Sequence, residues 1–375
     1  MVNMSLPPVS IAMLSILFAL LLGQSAATKV NTDSSCRSNS THIAWRGACS
    51  PITDTADATA TANASPSRRL DSPSLVTTDA STDVEGCCSW QTVKHAERDA
   101  YRFLRQHVMK FDLAFLETLG FDDDDDDDAQ DLPDGLSGGL VGPTIQLALQ
   151  AKIQFDSADA LPIAIWQEYV LNPFNVNEGR TNWRPHMWNK LSGLVEKDMS
   201  IGDIVEILNT FMWKILAPAD ADCITFVSSE TPLIFDPMSV LVFGHASCTG
   251  LAILFSNALR TVGVPARVAG TPAWYQNRDA GNHNWVEVWD DGAWKFLEPS
   301  PNQTVVDTLD RDPCLRWFCS SQRFTDTPTN TTLVASARLK SDTSNFFRLA
   351  WEWKNANVPA EDRSDYYQRA CSSCP

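Results

Sequence analysis

Residues 243–254 read FGHASCTGLAIL, a polar turn ending in Cys248 and followed at once by apolar residues at helical spacing. Leu251, Leu254, Phe255, Ala258, Leu259 and Val262 fall on one stripe, and Gly263 with Val264-Pro265 beyond it stops the pattern. The spacing therefore predicts a helix that opens at Cys248. Free N–H groups in a first helical turn carry partial positive charge, which favours thiolate over thiol. A cysteine placed there trades burial for reactivity.

An activated thiol also needs a base. Beyond the helix, PARVAG predicts a short strand and TPAWYQNRDAGN a long polar loop, and HNWVEVWDDGAWKFLEPS (283–300) alternates with the period of a β-hairpin closed at Asp291-Gly292. A two-residue turn pairs Trp289 with Trp294 and sets Trp285 opposite Glu298. His283 and Glu298 then share a face as diagonal neighbours, about 7–8 Å apart at Cα. A three-residue loop with a bulge reverses the parity and turns Glu298 away. In the first register Cys248, His283 and Glu298 form a nucleophile, a general base and a carboxylate that orients the imidazole.

The stretches ASCTGLAILFSNALRTVGVPARVAGTPAW (246–274) and GNHNWVEVWDDGAWKFLEPSP (281–301) resemble the core of the transglutaminase-like superfamily. That family's pattern is a Cys at a helix start, an R-x-x-G-[IV]-P-A-R segment, H-x-W-x-E-V, and a strand carrying Asp or Glu. Upstream, EYVLNPFNVNEGRTNWR (168–184) resembles the YVLP…E…WR motif of members with a preceding helical region, with Asn172 interrupting the usual Leu-Pro. Residues 333–367 are similar to the part of that group that follows the core. The resemblance spans roughly residues 140 to 366. It implies an α+β, papain-like fold in which a thiol-bearing helix packs on an antiparallel sheet. It places the nucleophile on Cys248, the base on His283 and the acid on Glu298, where many members carry Asp. The activity implied is attack on a protein or peptide amide through an acyl-thioester, with an amine or water as acceptor. A cysteine peptidase or amidase of the same fold and a non-catalytic extracellular binding module are the alternatives. No cofactor is implied.

The rest of the chain sets the context. A net charge of -17 across 375 residues withholds the basic surface that nucleic-acid binding requires. An apolar run from Ile11 to Leu22, followed by Ser25 and Ala27 at signal-peptidase spacing, reads as a secretory signal and is too short for a membrane helix of about 20 residues. Sequons at Asn39, Asn63, Asn302 and Asn330, with ten cysteines, fit a secreted or endomembrane-lumenal protein that has no membrane span after signal cleavage. With Cys248 kept as a thiol, nine cysteines remain, so at least one more is unpaired within the chain. Cys36 and Cys49 are expected partners, and Cys314/Cys319 and Cys371/Cys374 read as disulfide cysteines.

The expected division is a signal peptide (1–27), a disordered Ser/Thr/Ala-rich arm (28–92), a helical region (93–222) with an acidic loop at 122–131, the catalytic core with its C-terminal extension (223–366), and a Cys-containing tail (367–375). The arm holds a dibasic pair, Arg68-Arg69, that reads either as a processing site or as two solvated charges. The seven adjacent aspartates at 122–128 read as a solvated loop, because neighbouring like charges repel instead of folding around a cation. Helical faces are expected from Tyr101, Leu104, Val108 and Phe111, and, behind a Ser200/Asp203 cap, from Ile204, Ile207, Leu208, Phe211, Met212 and Ile215. His245, three residues before Cys248, lacks the second pair of ligands that a metal site needs. Trp274 and Trp285, on the approach to His283 and beside it, are candidate substrate-binding residues.

Overall fold

The computed structural model describes residues 90–121, 139–301, 307–309, 313, 316, 318–319 and 333–372, all within the unit formed by residues 45–375. The expected signal peptide, residues 28–89 of the arm with Arg68-Arg69, Cys36 and Cys49, the acidic loop, and the four sequon asparagines lie outside the described residues, whereas residues 90–92, expected in the disordered arm, begin a helix.

Helix α1 (Trp90–Gln106) is followed by α2 (Val141–Gln154), α3 (Arg184–Leu191), α4 (Ile201–Ile215), α5 (Pro237–Phe243), α6 (Cys248–Thr261) and, near the C-terminus, α7 (Ser364–Ser372). The strands are β1 (Thr225–Phe226), β2 (His245–Ala246), β3 (Ala266–Thr271), β4 (His283–Asp290), β5 (Ala293–Leu297), β6 (Ala335–Ala337) and β7 (Ala360–Asp362). Strands β3 to β7 form an antiparallel sheet in the order β5-β4-β3-β6-β7, and β1 pairs in parallel with β2 just before α6. This is the α+β arrangement expected of a papain-like core. A helical region precedes it.

Helix α6 packs on β3 and β4 with one side and meets α2, α3, α4 and α5 with the others. It is consequently buried all round, which a single apolar stripe did not suggest: Ser256, Asn257, Arg260 and Thr261 are as enclosed as Leu254 and Phe255. Each large apolar side chain buried there contributes about 1.5–3 kcal/mol. Buried polar groups must find partners or cost a comparable amount. Arg260 finds three carbonyls, donating from Nε to Ala266 (2.8 Å) and from Nη1 to Asn172 (3.0 Å) and Phe174 (2.7 Å). Gly263, at φ 84°, ends the helix in a left-handed turn that a side chain would strain.

The motif at 168–184 is a clamp around that helix. Glu178 accepts the backbone N–H groups of Asn175 (2.8 Å) and Val176 (2.7 Å), which holds the loop so that Asn175 reaches Asn257 (2.8 Å). Arg184 donates to the carbonyls of Arg260 (2.9 Å) and Val170 (2.6 Å). Burial and the neighbouring Arg260 bring the Arg184 guanidinium down to about 9.

Two helical expectations change. The segment after α1 turns into a 3-10 turn at Lys110–Phe115 instead of continuing as helix, because Arg180 pulls Asp112 inward in an ion pair of 3.1 Å. Helix α4 carries its predicted cap, with Asp203 N–H donating to Ser200 Oγ at 3.2 Å. Ile204, Leu208 and Met212 of the expected face are buried, but the buried face extends through Val205, Asn209 and Trp213 and leaves Phe211 53% exposed.

Candidate active site

Cys248 is the first residue of α6. The N-cap, Ser247, makes no side-chain cap; its hydroxyl bonds to that of Thr231. The helix end therefore faces the thiol without a competing side-chain acceptor from the cap residue. Cys248 is half-buried and unpaired, as is Cys223, so these are the free cysteines among the described residues.

His283 is the first residue of β4, opposite Thr271 of β3. The hairpin adopts the two-residue register, with Trp289 facing Trp294 and Asp290 facing Ala293. Asp291 (φ 50°) and Gly292 (φ 77°) both take positive φ, the combination a tight primed turn demands. His283 Nε2 consequently lies 2.9 Å from Glu298 Oε1 and 3.2 Å from Oε2. With Nε2 committed to the carboxylate, Nδ1 is the ring nitrogen left for sulfur, and the His283 side chain acts on the Cys248 thiol.

Glu298 follows β5 and is held by its own backbone. Its carbonyl accepts from Asn209 Nδ2 (3.1 Å) and Ser300 Oγ (3.2 Å), while Asn209 Oδ1 accepts the Ser300 N–H at 3.0 Å. Asn209 is a positioning residue that sequence reasoning missed. Its signal was an amide among the apolar positions of α4.

The electrostatics follow from this enclosure. Burial pushes the Cys248 thiol up, but the hydrogen bond and positive charge of His283, aided by the Asn284 backbone, bring it below its ordinary value. For His283 burial favours the neutral ring; Glu298 and the thiol reverse that and raise it to about 10. A thiolate–imidazolium pair is the favoured state between these limits.

The pair opens into a cleft of about 550 Å³ lined by residues including Phe226, Ser228, Leu251 and Pro299 as well as Cys248, His283 and Glu298. Trp274 and Trp285 do not line it. They are 1% and 0% exposed, packed in an aromatic cluster with Phe318 and Tyr367, and this corrects their expected substrate contact. Trp285 shares the His283 face of β4 but lies two residues further along the strand, where Tyr367 and Phe318 cover it, and the loop folds Trp274 onto Phe318. His245 lies on β2, 3.8 Å from Glu230.

Behind the site, Glu287 of β4 meets Arg267 (2.8 Å), Arg363 (2.9 Å), Ser336 (2.7 Å) and Tyr367 (3.0 Å). Burial raises the Glu287 carboxyl, and the two guanidinium groups more than offset this, leaving it below the usual range. A disulfide joins Cys319 to Cys371, linking one cysteine from each expected pair instead of neighbours within a pair. Cys314 and Cys374 lie outside the described residues.

Residues 216–299 match the model of the transglutaminase-like superfamily, and this segment contains Cys248, His283 and Glu298. No curated protein matches the chain. Among solved structures, the chain is similar to a TGase (19% identity, 36% of this chain and 36% of that one, TM-score 0.24). It is also similar to a putative cysteine protease from Cytophaga hutchinsonii (13% identity, 56% and 66% coverage, TM-score 0.28). The chain thus spans about a third of the first structure's length and just under two thirds of the second's.

Proposed function

We propose that this chain, whose residues 216–299 belong to the transglutaminase-like superfamily, is a secreted thiol acyltransferase acting on glutamine-type amides of proteins or peptides. The observation that carries the reading is the cleft at the mouth of α6, where Cys248 lines one pocket with His283 and Glu298 and His283 is hydrogen-bonded to Glu298 at 2.9 Å. In this reading the Cys248 thiolate attacks the amide carbon, and the His283 imidazolium protonates the departing ammonia as the C–N bond breaks. The acyl group is left as a thioester. An incoming amine then gives a proton to His283, attacks the thioester carbon and expels the thiolate. Glu298 holds the imidazole with Nε2 fixed, so that Nδ1 serves both transfers.

Water attacking the same thioester would make the protein an amidase, and a donor with a peptide leaving group would make it a peptidase. One incubation separates the three: a glutamine-containing peptide with a labelled primary amine, read by mass spectrometry. Amine incorporation is the expected product. Ammonia release without incorporation would reassign the acceptor to water, and backbone cleavage would reassign the leaving group. An unchanged peptide would leave the fold serving only to bind.

A further inference from the structure

His283 begins a strand, so the backbone fixes it on one side only, and its ring needs a wall. Phe318 supplies one. Its ring centroid lies 5.3 Å from that of His283 and, as the hub of the cluster, 5.1 Å from Trp285 and 5.6 Å from Trp274, both nearly parallel to it. Phe318 is fully buried, yet it belongs to neither β4 nor β5. The adjacent Cys319 is bonded to Cys371 in α7, across 52 residues of sequence. One turn before Cys371 on that helix, Tyr367 accepts the Trp285 indole N–H at 2.7 Å and donates to Glu287 at 3.0 Å. The wall is tied at both ends, by a covalent bond through Cys319 and by a hydrogen bond through Trp285.

We propose that Phe318, latched by the Cys319–Cys371 disulfide, is the positioning residue that keeps the His283 ring between Glu298 and Cys248. The inference rests on the thiol-enzyme reading above and adds a part that composition and motif did not reveal. A planar ring stacked on two tryptophans has little freedom, and it denies the imidazole the rotation that would take Nε2 off Glu298. Removing it leaves a cavity beside His283 into which that ring can turn, and the thiol then loses its cationic partner.

The test is the pH dependence of Cys248 alkylation by iodoacetamide, followed by peptide mapping, in the wild type, Phe318→Ala, Phe318→Leu and the double variant Cys319→Ser/Cys371→Ser. Circular dichroism checks folding at the assay temperature. Phe318→Ala is expected to lower the rate at pH 6 by about tenfold, one pH unit of thiol titration, with the rate at pH 9.5 within twofold of wild type. Phe318→Leu, which keeps apolar volume without the planar stack, is expected to lose about threefold at pH 6, and it decides the matter if the alanine variant does not fold. The double serine variant should shift in the same direction. A folded variant with an unchanged profile, or one that loses rate equally at both pH values, overturns the inference. A wild-type profile like that of an ordinary thiol would instead overturn the proposed function itself.

Discussion

At the scale of single residues, the proposed acyl transfer turns on two protons. The proposed reaction would require Cys248 ionised and His283 protonated, and the structure holds the thiol below its ordinary range while keeping the imidazolium up to about 10. Acyl transfer should therefore rise with pH through the depressed thiol titration and fall again as pH passes about 10, where the proton donor is lost. Alkylation of Cys248 lacks the second limb, because it needs only the thiolate. Its rate at pH 6.5, relative to that at pH 9.5, is expected to exceed the roughly one hundredth that an unperturbed thiol would show. Replacing His283 with Ala should cost about 10⁴-fold or more in kcat. Glu298→Gln should cost far less, since the amide oxygen still accepts from Nε2–H and only the charge is gone. Full activity in Glu298→Gln, measured by amine incorporation, would mean that the carboxylate does not support the imidazole.

Among the elements, the contact between β3 and β4 sets where the base lies. Gly270 of β3 pairs with Asn284, and a Cβ added there would approach the His283 carbonyl oxygen to 2.6 Å. Backbone cannot yield as a side chain tip can, so Gly270→Ala should push the start of β4 outward and cost about 10²-fold in kcat/KM, as misplacements near 1 Å do. A crystal structure or kinetic comparison with Gly292→Ala checks this. That substitution strains a positive φ with nothing nearby to strike and should cost about 1 kcal/mol of stability with activity retained. Much of this level was legible in the sequence. Asp291-Gly292 between alternating runs marked the hairpin and left two registers open, of which the two-residue one forms, and Cys248 before an apolar run ending at Gly263 marked the helix. What periodicity could not supply was the environment on the far side of each element. It gave no notice that α6 would be enclosed all round, that Trp274 and Trp285 would turn into a cluster, or that α4 would present Asn209 to Glu298.

Across the whole molecule, distant pieces of chain close the sheet. β6 and β7 are three-residue strands whose sequence shows little pattern, and their place beside β3 depends on pairings that no local spacing encodes. The same holds for Phe318 and for the Cys319–Cys371 link. Glu287 ties the sheet together by binding Arg267 from β3, Ser336 from β6, and Arg363 and Tyr367 from the C-terminal segment. Taking away one partner of a buried pair leaves the other charge uncompensated, so Glu287→Ala should destabilise the fold by about 3–5 kcal/mol in chemical denaturation. A loss under about 1 kcal/mol would show that water or rearrangement satisfies Arg267 instead.

The proposed function requires that Cys248 carry the acyl group. It is tested most directly by mixing the protein with a glutamine-containing peptide in the absence of amine, quenching in acid, and mapping the adduct by mass spectrometry. The expected product is a thioester on the peptide that contains Cys248, heavier by the donor peptide less one ammonia, and absent from the Cys248→Ser variant under the same quench. A donor adduct on any other residue, or a Cys248 found in a disulfide and unmodified, would contradict it.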